Sequence, residues 1–112
     1  MSKAYDFHPK AEDDFTDLWD FIAADSPDAA DRVTDEIIDK IEGLVKFPHQ
    51  GHRRTDLTSR PLRFIRIYDY LIAYAPDEQP LWIVAILHGS RNPRVLAAIL
   101  RSREDKPSPR NG

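Results

Sequence analysis

Leu81-Trp82-Ile83-Val84-Ala85-Ile86-Leu87-His88-Gly89-Ser90-Arg91-Asn92-Pro93-Arg94 is the stretch that decides how this chain folds. Its first seven residues are apolar with no polar alternation, the pattern of a strand that must be covered on both faces. The run then delivers a histidine and arginines to the strand's end. That is where chemistry, or recognition of something anionic, is concentrated.

Two further strand-like runs lead into it. Leu62–Tyr68 carries Arg63 and Arg66 among Leu62, Phe64, Ile65 and Ile67, and Tyr70–Ala75 follows. A turn at Pro76-Asp77-Glu78-Gln79-Pro80 separates the second run from Leu81. Further upstream the period changes. Ala11, Phe15, Leu18, Trp19 and Ile22 recur every three or four residues, which marks one apolar face of a helix opened by Pro9. Glu12, Asp13 and Asp14 fall in its first turn, where the helix dipole favours acids. Ser26 and Pro27 then read as N-cap and first residue of a second helix, with Ala30, Val33, Ile37, Ile41 and Leu44 or Val45 as its stripe. So short a connection predicts an antiparallel hairpin. Ala4–Phe7 suits a short opening strand.

The expected fold is α+β: an N-terminal strand and an antiparallel helical hairpin packed on a largely antiparallel four-stranded sheet (β-α-α-β-β-β), then a short C-terminal helix. Residues 1–103 form a single domain, and 104–112 have the composition of a disordered tail. The hairpin covers one face of the sheet only. The second face falls to the final helix, Pro93–Arg101 with Asn92 as N-cap, or to another chain. Val95–Leu100 is apolar at six consecutive positions, which fits either a docked terminal helix or a partner-binding surface.

Composition narrows the function. With 112 residues there is room for one modest core. The chain has no cysteine, which removes disulfides and thiolate chemistry. No apolar run approaches the ~20 residues that span a bilayer, and the N-terminus lacks a signal-peptide core. A cytoplasmic location is the default expectation, with no membrane partner. Net charge is −3, but it is divided: residues 1–46 carry 13 acids against 5 bases, and residues 47–103 carry 4 acids against 9 arginines. A basic half usually meets something negative. The plainer reading is that helices expose acids while strands and loops use arginine.

Three functions come into question from the residues themselves. Metal-free RNA cleavage needs an acid, a base and cations around the phosphorane. His88 can serve as acid or base, with Arg91, Arg63 and Arg54 holding phosphate and His49 or His52 approaching if their loop folds over the sheet end. A histidine at a strand end is more often structural. His49-Gln50-Gly51-His52 offers two imidazoles but no further zinc ligand except Asp56, so no metal is expected. Arg53, Arg54, Arg60, Arg63 and Arg66, near Phe64, Tyr68 and Tyr70, suit single-stranded nucleic acid or an acidic peptide equally.

The ordered features from Tyr5 to Pro93 resemble the RelE/ParE superfamily of toxins from type II toxin–antitoxin systems. They are Pro9-Lys10-Ala11-Glu12-Asp13-Asp14-Phe15 leading to Leu18-Trp19-Asp20-Phe21-Ile22, then Ala29-Ala30, Ile37 and Ile41-Glu42-Gly43-Leu44. The loop Phe47-Pro48-His49-Gln50-Gly51-His52-Arg53 follows, then Leu62-Arg63, Tyr68, Ile72, Tyr74 and the closing Ile86-Leu87-His88-Gly89-Ser90-Arg91. The resemblance implies a small cytoplasmic toxin neutralised by a cognate antitoxin in a hetero-oligomer. One branch of the superfamily cleaves mRNA on the ribosome with basic or imidazole side chains and a C-terminal aromatic. The ParE branch poisons DNA gyrase without hydrolytic chemistry of its own. No aromatic or histidine follows Arg91, and no lysine lies between Lys46 and Lys106, so the resemblance favours ParE. It implies no cofactor and no catalytic residue, the nuclease alternative being His88, Arg91, Arg63 and Arg54. Contacts to target or antitoxin would fall on Arg53, Arg54, Arg63, Arg66, Arg91, Leu96, Ile99, Leu100 and Trp19. Toxins of this family are usually basic; the net −3 makes strong direct nucleic-acid binding less expected.

Overall fold

In the computed structural model, which describes residues 4–103, the elements are β1 (Tyr5–Phe7), α1 (Pro9–Ala23), α2 (Pro27–Lys46), β2 (Arg63–Ile67), β3 (Tyr70–Ala75), β4 (Leu81–His88) and α3 (Pro93–Arg101). A single 3-10 turn, Pro48–Gln50, follows α2. The α+β architecture is as the sequence predicts. The tail from Glu104 lies outside the described residues.

The helix boundaries follow their local chemistry. The His8 ring Nδ1 accepts from the Lys10 N–H at 2.9 Å, capping α1 ahead of Pro9. Ser26 Oγ accepts from the Ala29 N–H at 3.1 Å, and Pro27 occupies the first helical position of α2. Asn92 Oδ1 caps α3 in the same manner, accepting from Arg94 N–H at 2.8 Å. The hairpin is tied by Trp19, whose indole N–H donates to Asp31 at 2.9 Å.

The sheet runs β1-β4-β3-β2, with β1 parallel to β4 and the other pairs antiparallel. Buried β4 is therefore central, as its unbroken apolar run requires. One irregularity sorts its side chains. Tyr74 pairs with Ile83 and Ala73 with Ala85, so Val84 is an extra residue, a β-bulge. Leu81, Ile83 and Ile86 consequently join the core under the hairpin, while Trp82, Val84, Ala85 and Leu87 all reach the opposite face.

That second face is closed by the chain itself. Leu96 and Leu100 of α3 are each 1% exposed and pack with Phe64, Leu71, Trp82 and Leu87, together with Leu57 and Leu62 from the long loop. Burying a leucine this fully stabilises by about 1.5–3 kcal/mol. Leu96 and Leu100, expected among the contacts to target or antitoxin, have side chains that are part of the core. Exposed apolar surface on α3 is left to Val95, 44% exposed, and to half-buried Ile99.

Candidate functional site

The end of β4 and the first turn beyond it form one wall of a cleft of about 240 Å³. Asp14, Asp17, Leu18 and Phe21 line it from α1, Tyr70 from β3, Ile86, Leu87 and His88 from β4, and Arg91 and Ile99 from the C-terminal segment. Within it the His88 imidazole lies 4.9 Å from the Tyr70 ring and meets the Phe21 ring edge-on at 6.1 Å. Phe21 is 69% exposed, an unusual position for so large an apolar side chain. Desolvation, and secondarily the Asp69 charge, push the Tyr70 phenol above its ordinary pKa.

The four residues of the nuclease alternative are not brought together. His88 pairs across the sheet with Tyr70, whereas Arg63 pairs with Tyr74, four residues further along β3. At a strand rise of about 3.3 Å per residue this is about 13 Å along the strands alone. The Arg63 guanidinium donates to Gly51 C=O at 2.7 Å and His49 C=O at 3.2 Å. Arg54 makes a two-pronged bond to Asp56 at 2.8 and 2.9 Å, which raises its own pKa and holds the Asp56 carboxyl below the usual range. Of the arginines on the basic stretch, Arg66 is the one that reaches the His88 end. A Cβ on Gly89 would stand 3.1 Å from its Nη2.

The loop histidines are likewise remote. His49 lies 3.3 Å from Asp77, and His52 bridges to Phe64 through paired 2.8 Å backbone bonds. Their approach to His88 is corrected by the register: the loop folds at the Arg63–Tyr74 end of the sheet. No group of three potential metal ligands occurs among the described residues. The Pro48–Gly51 loop is held by Tyr74, whose hydroxyl donates to Pro48 C=O at 2.7 Å and accepts from Gly51 N–H at 3.0 Å. A Cβ on Gly51 would fall 2.5 Å from that oxygen and 2.8 Å from Phe64 C=O, so the loop closes only on glycine. Arg60 also has a scaffold role, donating to Leu100 and Arg103 C=O at 3.0 Å each and satisfying the carbonyl end of α3. Arg53 is exposed, and Trp19 is half-buried through its bond to α2.

A loop clamped by tyrosine and arginine, a central buried strand and a His-x-x-Arg turn at its end make a recognisable combination. The family profile described as "ParE toxin of type II toxin-antitoxin system, parDE" matches residues 5–93, from β1 to the start of α3. The chain belongs to the ParE toxin family. It is also 23% identical to the protein named Toxin ParE2 in two Mycobacterium tuberculosis strains, CDC 1551 / Oshkosh and ATCC 25618 / H37Rv, over 92% of this chain and 97% of each relative. Across the described residues of this ParE-family chain no helix is long and apolar enough to cross a membrane.

Sequence reasoning singled out His88 and Arg91 but missed the aromatic partners. Phe21 belongs to α1 and Tyr70 to β3, so no local spacing places them beside residue 88. The signal available was Phe21 itself, which lies off the apolar stripe of α1.

Proposed function

We propose that this chain is the toxin of a type II toxin–antitoxin pair, that it inhibits DNA gyrase by a protein–protein contact, and that a cognate antitoxin neutralises it. The observation carrying this reading is that two of the cations a nuclease would draw on, Arg54 and Arg63, are engaged away from His88. Phosphoryl-transfer catalysis needs several positive groups converging on one phosphate. Here Arg54 and Arg63 are engaged at the far end of the sheet from His88. What the His88 end offers, beside the guanidinium groups of Arg91 and Arg66, is the exposed Phe21 ring and the half-buried Ile99, which suit a protein contact. His88 then has a structural role between Tyr70 and Phe21, and Arg91 belongs to the contact surface. Supercoiling by purified gyrase in the presence of the protein tests the proposal; unaffected supercoiling argues against it.

The reading as a ribosome-dependent mRNA endonuclease has one observation in its favour. Phe21 and Tyr70 flank the His88 imidazole, with Arg91 lining the same cleft, and could receive a base by stacking. His88→Ala separates the two, since a nuclease loses its toxicity and a gyrase inhibitor retains it.

A further inference from the structure

The β2–β3 hairpin turns at the His88 end of the sheet. Ile67 pairs with Tyr70 and Tyr70 with His88, so the loop consists of Tyr68-Asp69 alone. The favoured two-residue loops have a positive φ at their first position, a conformation that glycine and asparagine adopt with little strain. This hairpin has Tyr68 there, at φ 54°, the one non-glycine residue with positive φ among the described residues. A bulky aromatic in that region strains the backbone, and nothing in the turn itself requires one.

What Tyr68 gains within the chain is small. Its hydroxyl donates to Glu36 Oε1 of α2 at 2.7 Å, but the bond is open to solvent and contributes little to stability. The bond does hold the side chain in one orientation, with the residue 52% exposed. Arg66 adjoins it: Nη1 lies 3.4 Å from Tyr68 C=O, and Nη2 reaches toward Gly89, the residue after His88. Among the described residues no carboxylate pairs with this guanidinium. The hairpin tip therefore continues the surface on which Arg91 and Phe21 stand.

We infer that the Tyr68 ring, with Arg66 beside it, is an anchor of the gyrase contact; the inference rests on the gyrase reading. Tyrosine and arginine are the residue types that concentrate binding energy at protein contacts. A ring already held by Glu36 loses little freedom on docking, which suits a folded target with a preformed pocket. That pocket is apolar, with a carboxylate at its rim opposite the Arg66 guanidinium. The strained turn is retained because residue 68 serves the partner and not the hairpin.

The test is binding of the full-length chain to immobilised gyrase without DNA, joined to thermal unfolding of each variant. Tyr68→Asn removes the ring and suits the turn. It weakens gyrase binding about tenfold or more and melts no lower than the parent, a separation that a merely structural tyrosine does not give. Tyr68→Phe keeps the ring, gives up the Glu36 bond and restores affinity to within about threefold of the parent. Arg66→Glu weakens binding about tenfold or more. Phe47→Asp, which changes another exposed aromatic at the far end of α2, leaves it unchanged. Parent-like gyrase binding by Tyr68→Asn overturns the inference and leaves the gyrase reading intact, whether or not that variant loses its antitoxin. A loss of binding matched by a fall in melting temperature makes Tyr68 structural and also overturns it, as does parent binding that needs added DNA. A parent protein that neither binds gyrase nor inhibits supercoiling overturns both.

Discussion

Asp14 and Arg103, 89 residues apart in sequence, together take the place of a missing strand residue on the edge of β4. The guanidinium donates to both carboxylate oxygens, at 2.6 and 3.1 Å, and to Val84 C=O, while the carboxylate accepts from Ile86 N–H. The Arg103 side chain is 9% exposed and that of Asp14 18%. Placing two charges there is costly, and the arrangement holds because each also satisfies a backbone group that would otherwise be orphaned. The pair joins α1, β4 and the end of α3, and it closes one end of the candidate cleft.

Removing either partner leaves a largely buried charge and an unpaired backbone group. Asp14→Ala or Arg103→Ala is expected to lower unfolding stability by about 3 kcal/mol. The double variant should lose clearly less than the sum of the two. Urea denaturation of all four proteins checks this, and strict additivity contradicts it.

The docking of α3 makes a second prediction. Leu100→Ala removes a side chain that is 1% exposed and should cost about 2–5 kcal/mol. Val95→Ala, on the exposed side of the same helix, should change stability by no more than about 0.5 kcal/mol. Equal, small effects at both positions in thermal unfolding would mean that α3 is not part of the core.

The Tyr74 clamp is sensitive to pH. Burial pushes its phenol above the ordinary value, with the Gly51 bond and the Arg63 charge acting the other way. The raised folded-state pKa means that its contribution is complete below the unfolded value of about 10 and is lost as pH rises through the folded one. Tyr70 is raised by burial as well, so the informative quantity is the difference from Tyr74→Phe. That variant should lose about 1 kcal/mol at neutral pH and show a shallower alkaline decline. Gly51→Ala, forced against the same oxygen, should cost about 1–3 kcal/mol. Stability measured from pH 7 to 11.5 tests all three statements.

Local signals account for what the sequence made legible. Ser26-Pro27 and Asn92-Pro93 mark helix starts because capping is decided within three residues, and the seven apolar residues of β4 announce a doubly covered strand. The missing parts all depend on distant segments meeting. No pattern indicates that Leu57, inside an arginine-rich loop, is 4% exposed. Nothing local tells that Arg63 and His88 occupy opposite ends of the sheet, because that follows from two strand registers taken together. The bulge at Val84 is hidden for a related reason: in a strand apolar on both faces, an extra residue leaves no break in the pattern.

The most direct test of the account is gyrase supercoiling and DNA cleavage with purified toxin, with and without its antitoxin. The account predicts loss of supercoiling with accumulation of cleaved DNA, reversal by the antitoxin, and the same behaviour from His88→Ala. Normal supercoiling and intact DNA in the presence of a protein that still arrests growth would contradict it.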